Sequence, residues 1–359
     1  MSMRNIIESL RRGEVPNEEL DKIIVDRMDI IKAFKEDIEY FKQENSFKTR
    51  YLNGEFGSGK TFLLKILSKK GFKENFVVSY VVLDEKNTRF DKLENLYKAI
   101  LFNLQIQSFP PGSVTLAEII SRWLETKMEL GKTKRSEIHK LTPGNPMLSI
   151  ILHAYQTKPE FRPQILSWLM REKTITANEK KEFHVKGDID RSNCLAYLNA
   201  ISKLIQQAGF NGWIIIFDEV ESIIRLTNNS RLAALENIRL LDDNQVAALS
   251  NTGMFFAGTS EFFGEHGVKD YKALESRIEN VSEFKSHRHT ILKLESLEKK
   301  YRKKLLSNIK EIYEEAYNTS LPGVSEKVIE QAEEKAANRK LTMRELIKRW
   351  VNYFDLISV

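Results

Sequence analysis

Two kinds of apolar segment alternate along this chain. Short, mostly apolar runs without helical spacing lie at 47–52, 76–83, 213–217, 254–259 and 290–294. Each predicts a β-strand. The run Trp213-Ile214-Ile215-Ile216-Phe217 has no polar interruption, as expected of a strand buried on both faces of a parallel sheet. Residues 47–52 read less cleanly, because Lys48 and Arg50 break the run. Between the runs, apolar residues recur at three- and four-residue spacing. Ile30, Ile31, Phe34, Ile38 and Phe41 form one stripe. Leu93, Leu96, Ile100, Leu101 and Leu104 form a second within 90–106, and Leu195, Leu198, Ile201, Leu204 and Ile205 a third within 191–207. Such stripes predict amphipathic helices. After 294 the pattern is helical to the end, over about 297–317, 325–337 and 342–356. Strands alternating with helices predict an α/β fold around a parallel sheet.

The alternation is interrupted once. Phe109-Pro110-Pro111-Gly112 breaks it, and residues 113–190 carry further breakers at Gly131, Pro143, Gly144, Pro146, Pro159 and Pro163. This stretch is too long for a loop and reads as an irregular helical insertion between the second and third apolar runs. Lys180 to Asp190 is highly charged and is expected at the surface. The first twenty or so residues read as helical with a turn at Pro16, and Ile23-Ile24-Val25-Asp26-Arg27 is a short apolar segment ending in charge.

Chemistry enters at two of the strand ends. After the first run comes Gly54-Glu55-Phe56-Gly57-Ser58-Gly59-Lys60-Thr61, which fits the phosphate-loop pattern G-x-x-x-x-G-K-[ST]. Glycines let successive N–H groups turn inward toward phosphate oxygens. Lys60 can reach the β- and γ-phosphates, and the Thr61 hydroxyl can ligate Mg²⁺. Leu63, Leu64 and Leu67 then open a helix whose positive end faces the anion, with Lys69, Lys70 and Gly71 as its stop signals. The third run ends in Asp218-Glu219. Ligands of open α/β sheets bind beyond the C-terminal edge. There Asp218 is placed to hold Mg²⁺, and Glu219 to polarise a water for attack on a γ-phosphate. An acid pair favours ATP hydrolysis over simple binding. Glu221, two residues on, reads as a solvated acid at a helix start.

Composition narrows the class without naming a partner. At 359 residues, 42% hydrophobic and 30% charged, the chain is large enough for two domains around a sizeable core. No apolar run reaches membrane-spanning length, and a cytoplasmic location is expected. Cys194 is the single cysteine, which excludes an internal disulfide framework. The six histidines have no ligand spacing, and His287 and His289 read as surface residues. A net charge of +6 permits contact with double-stranded DNA without establishing it.

The strand order and helical tail resemble the AAA+ ATPases: a three-layer α/β core on a parallel five-stranded sheet, with a C-terminal all-helical lid. That resemblance implies an N-terminal helical segment and adenine-side lead-in at 1–45, an ATPase core at 46–295 holding the insertion at about 113–190, and a lid at 296–359. It also implies three roles. Thr259 and Ser260 match the sensor position beside the γ-phosphate. Arg277 in Leu274-Glu275-Ser276-Arg277-Ile278 matches the arginine finger that reaches a neighbouring subunit in a homo-oligomer. Arg344 in Leu341-Thr342-Met343-Arg344-Glu345-Leu346-Ile347 matches a lid arginine that touches the γ-phosphate in cis. The sequence adds local support at the last site, because Thr342-x-x-Glu345 is a capping box that fixes a helix start.

Within that superfamily the chain is similar to the BrxD-like ATP-binding proteins of BREX phage-defence systems. The similarity lies in Arg11-Arg12-Gly13-Glu14-Val15-Pro16, Ile24-Val25-Asp26-Arg27, Leu52 to Thr61 and the Arg344 segment. It implies that residues 23–28, with Val25 and Arg27, lie against the adenine, and it adds Phe62 to the nucleotide-binding set. Asp26 stands where relatives carry a glycine before the arginine. The implied activity is Mg²⁺-dependent ATP binding and hydrolysis that drives or gates a DNA-associated antiphage complex. The alternative is a slow, nucleotide-gated adaptor that recruits a helicase or nuclease without itself acting on DNA. A small-molecule kinase fits the helical lid less well. The basic run Lys299-Lys300-Tyr301-Arg302-Lys303-Lys304 reads either as a DNA contact or as a solvated helix face.

Overall fold

All five apolar runs form strands of one sheet. The structure, a computed structural model, describes residues 3–16, 19–129, 145–172, 176–278 and 288–358. The strands are β1 Phe47–Gly54, β2 Val77–Val82, β3 Leu104–Gln105, β4 Trp213–Asp218, β5 Thr252–Gly258 and β6 Ile291–Leu294. Their order across the sheet is β3-β2-β4-β5-β1-β6. β2 runs parallel to β4 from Val77 opposite Trp213 to Val82 opposite Asp218, and β4 runs parallel to β5. This mostly parallel sheet, with helices Lys299–Tyr317, Glu326–Asn338 and Met343–Ile357 after it, is consistent with an AAA+-type fold.

The sixth strand was hidden inside a helical stripe. Helix Leu93–Phe102 stops at Asn103, whose side chain donates back to the Ala99 carbonyl at 2.9 Å. Leu104 and Gln105 then pair antiparallel with Ser79 and Val78 of β2. The Gly112 N–H donates to the Leu104 carbonyl at 2.9 Å, folding the Pro110-Pro111 turn against the new strand. Leu104 is buried either way, so the spacing of apolar residues did not separate the two outcomes.

The chain falls into two units, each drawn from separate stretches. One comprises Met1–Lys32, Asn53–Leu67 and Leu292–Val359; the other comprises Ala33–Leu52 and Ser68–Ile291. In the second, all six residues of β4 and all seven of β5 are buried. Tyr51 and Phe256 stack with ring centres 5.0 Å apart, as do Phe217 and Phe256, while Phe90 meets Phe217 edge-on. The polar residues that break the β1 run are explained by alternation along the strand. Lys48 and Arg50 point the same way and both pair with Asp37, which is 1% exposed. Arg50 also donates to the His289 carbonyl at 2.6 Å. On the opposite face, Thr49 and Tyr51 donate to Asp242, whose carboxyl is pushed up by burial.

The insertion is helical where it is described, at Ser113–Glu129, Pro146–Thr157, Arg162–Leu169 and Ala177–Glu182. Residues 130–144, including the breakers Gly131, Pro143 and Gly144, lie outside the described residues, as does His287. The charged stretch 180–190 is not wholly at the surface: Phe183, Val185 and Ile189 are buried in the main core.

The helical unit has its own core. Ile6, Ile7, Leu10, Val25, Leu306, Ile309, Trp350, Val351 and Phe354 belong to it. Trp350 donates its indole N–H to the Leu306 carbonyl at 2.9 Å. Met3–Arg12 forms the first helix. It stops at Gly13, short of the turn expected at Pro16. No helix among the described residues is long and apolar enough to cross a membrane.

Candidate nucleotide site

β1 ends at Gly54, and a five-residue loop leads straight into helix Lys60–Lys73. Gly57 has φ 76° and Gly59 φ 101°, in the left-handed region where a side chain is strained. At Gly57 space is short as well, since a Cβ there would lie 2.9 Å from Thr342 Cβ and 3.6 Å from the Met343 nitrogen. Lys60 is 7% exposed. Its ammonium donates to the Gly54 carbonyl at 2.7 Å and the Glu55 carbonyl at 3.3 Å. The Phe56 ring lies 5.4 Å away. A desolvated cation is thus held at the centre of the loop, where an anion gains most from it.

The loop fits a phosphate chemically. Ser58 Oγ is buried and has no hydrogen-bond partner among the described residues, a state that is costly unless a ligand or water satisfies it. Beside the loop is a cavity of about 230 Å³. Glu55 to Ser58 line one side, and Leu297, Arg302, Ala336, Leu341, Thr342 and Met343 line others.

Arg344 lies beside a capping box. Thr342 Oγ1 accepts the Glu345 N–H at 3.3 Å, and Glu345 accepts the Thr342 N–H at 2.8 Å. Arg344 therefore sits in the first turn of helix Met343–Ile357. It is exposed and forms no hydrogen bond or ion pair among the described residues. On the N-terminal side, Val25 is buried in the helical core and Phe62 packs against that core. Arg27 donates to the Glu295 carbonyl at 2.9 Å and lies 3.8 Å from Asp26. Burial lowers its pKa, and the charges of Asp26 and Glu295 oppose that shift. Asp26 has φ 44°, so the aspartate adopts the left-handed conformation that a glycine would otherwise supply.

The acidic strand end has a geometry that no spacing pattern foretells. Asp218 is 3% exposed. One of its oxygens accepts the Glu219 N–H at 3.0 Å and the other the Tyr80 hydroxyl at 2.7 Å. Tyr80 comes from β2, opposite Ile216, and sequence reading missed it because only strand pairing brings it there. Glu219 has φ 60° and is exposed. A bulky non-glycine residue in that conformation is uncommon and clusters at functional positions. The expectation for Glu221 is corrected: it is 5% exposed, in the turn Val220–Arg225. Its Oε2 would lie 3.3 Å from a Cβ placed on Gly258, at the end of β5.

A protein-family model described as BREX system ATP-binding protein BrxC/D matches residues 1–143 and 136–359. The chain belongs to this family. The two matched stretches span it from end to end, and the family is one of ATP-binding proteins of BREX defence systems. No curated protein matches the chain.

Other residues of the BrxC/D chain singled out from sequence lie as follows. Thr259 is 2% exposed, and its hydroxyl has no partner among the described residues, whereas Ser260 is exposed. Arg277 is ion-paired with Asp243 and also donates to the Ala273 carbonyl. The basic run of the tail is largely engaged inside its own unit. Lys299 pairs with Glu330 and Glu334, Arg302 with Glu333, and Lys303 with Glu330. Lys300 pairs with Glu298 and lies 4.6 Å from the Tyr301 ring.

Proposed function

We propose that this BrxC/D protein is a Mg²⁺-dependent ATPase of the cytoplasm whose nucleotide state gates a partner in the defence complex. The supporting observation is the loop Gly54–Thr61, with a buried lysine at its centre, left-handed glycines and the unsatisfied Ser58 hydroxyl. In this reading Gly54, Gly57, Ser58, Gly59, Lys60, Thr61 and Phe62 hold the triphosphate end, and Val25 and Arg27 serve the adenine side. Thr61 and Asp218 are the residues to hold Mg²⁺. When bound, the ion neutralises charge on the phosphates. Glu219 takes the proton from the attacking water, an assignment its exposed, left-handed position at the strand end supports. Thr259 or Ser260 registers the γ-phosphate. Arg344, pre-organised by its capping box, distinguishes ATP from ADP.

Glu219→Gln tests the catalytic half. Turnover is expected to fall by about 10²- to 10⁴-fold while ATP still binds. Turnover at the wild-type rate would remove Glu219 from the mechanism. Arg277 acts as a finger in trans only if ATP drives a homo-oligomer. Sizing the protein with and without ATP decides that, with Arg277 then released from Asp243.

One observation favours the adaptor reading over direct action on DNA. Lys299, Arg302 and Lys303 already have carboxylate partners within their own unit, so the run does not present a free cationic stripe to phosphates. A protein partner, such as a helicase or nuclease, then takes the output. ATPase rates with and without duplex DNA separate the two. Strong, salt-sensitive stimulation supports the DNA-driven engine, and slow, indifferent hydrolysis supports the adaptor.

A further inference from the structure

The first helix ends in a turn that favours glycine. Glu14 N–H donates to the Ser9 carbonyl at 2.8 Å and Gly13 N–H to the Leu10 carbonyl at 2.9 Å, the paired bonds of a Schellman cap. Gly13 has φ 76°. A Cβ there would lie 3.1 Å from Arg344 Cγ and 2.8 Å from Lys348 Cδ. The stem of Arg344 therefore lies against the bare backbone of this turn.

The segment carrying the turn is fixed at both ends. Before it, Arg11 grips Asp355 with two bonds, Nε to Oδ2 at 2.9 Å and Nη2 to Oδ1 at 2.8 Å. Asp355 lies in the last turns of the helix that Arg344 begins. Tyr317 and Glu8 complete the grip on Arg11. After the turn, Lys65 of the phosphate-loop helix donates to the Val15 carbonyl at 2.7 Å. Residues 11–15 thus join the helix of Arg344 to the helix that follows the phosphate loop.

We propose that residues 11–15 form a strap in which Gly13 is a positioning residue for Arg344, setting how well this arginine tells ATP from ADP. The inference rests on the reading of Arg344 as the γ-phosphate contact. A long, exposed side chain with no partner of its own needs its stem confined if its head is to reach one place. The strap supplies that confinement, and its tie to Lys65 makes the confinement depend on the position of the phosphate-loop helix.

The test is the ratio of ATP to ADP affinity, measured by calorimetry on the full chain and its variants. Arg344→Ala comes first and is expected to lower the ratio about tenfold or more, as loss of a charged hydrogen bond implies. An unchanged ratio there ends the assignment of Arg344 itself, and the strap falls with it. Gly13→Ala is then expected to lower the ratio at least about twofold, and to add nothing further in the Arg344→Ala background. A strap that merely holds the fold together would lower the melting temperature and leave the ratio at its wild-type value. That result overturns the proposal while leaving the Arg344 reading intact. Should Gly13→Ala fail to fold, Arg11→Gln carries the same test, since it frees the strap from Asp355 without altering the turn.

Discussion

The two units hold themselves together by different means. The sheet unit buries its strands outright: β4 and β5 have no exposed residue, and Phe90, Phe217, Phe256 and Tyr51 pack ring against ring. The helical unit has to gather Met1–Lys32, Asn53–Leu67 and Leu292–Val359 from far apart in the chain. It has an apolar core, but directional polar grips supplement it: Arg11 to Asp355, Lys65 to Val15 and Arg302 to the nearly buried Glu333. Apolar burial is strong and indifferent to direction. Charged hydrogen bonds fix direction and respond to ligands and pH. The loop and Arg344 belong to the helical unit and the acid pair to the sheet unit, whose apolar core is supplemented, among the described residues, by fewer grips of this kind for its size, chiefly Arg50 on the buried Asp37.

Four substitutions would break or sharpen that contrast. The largest effect is expected at Phe217, buried between two other rings. Phe217→Ala should cost about 3–5 kcal/mol of stability, read by denaturant unfolding. A loss below about 1 kcal/mol would show that the sheet does not depend on this burial. Next comes Lys60→Ala. Removing the buried ammonium should weaken ATP binding by about 1.5–3 kcal/mol, the range for a charged hydrogen bond, while thermal stability of the sheet unit holds. ATP affinity equal to wild type would defeat the phosphate assignment.

Thr342→Ala removes the N-cap of the Arg344 helix and should cost about 1 kcal/mol, seen as a lower melting temperature. ATP binding should weaken alongside it if the helix start matters to the site. The smallest effect concerns pH. Burial raises the Asp355 pKa, but hydrogen bonds from Arg11 and Tyr313 outweigh it and hold the carboxyl below its ordinary 3.8. The folded pKa is the lower one, so its stabilisation is complete above 3.8 and is lost as pH falls through the folded value. Asp355→Asn should flatten the decline in stability below about pH 4. An unchanged acid profile would mean that the grip contributes nothing.

Much of this architecture was legible in the residues alone. Five strands, the phosphate loop, the capping box at Thr342 and the helical tail all follow from local pattern, because apolar period, turn chemistry and capping act over a few residues. The failures have the opposite cause. Leu104 sits at a helical spacing yet forms a strand, since the edge of β2 offered a partner. Glu221 reads as a surface acid and is buried. Tyr80 carries no signal of its own and reaches Asp218 only through strand pairing. The basic run at 299–304 reads either as a DNA contact or as a solvated helix face, and its glutamate partners on a neighbouring helix are visible only in the fold.

The amino-acid order by itself determined which candidate groups are present: a glycine-rich loop with its lysine, an acid pair at the end of an apolar run, and an arginine at a capped helix start. Those features are short-range, so neighbouring residues suffice to specify them. Only the folded chain decided where that chemistry is housed. It placed the cradle in a unit with the two chain ends, turned Glu219 into a left-handed conformation, and laid the stem of Arg344 on Gly13. Each of these outcomes depends on contacts between residues tens or hundreds of positions apart, or on backbone angles that the surrounding packing imposes, and no local pattern encodes either.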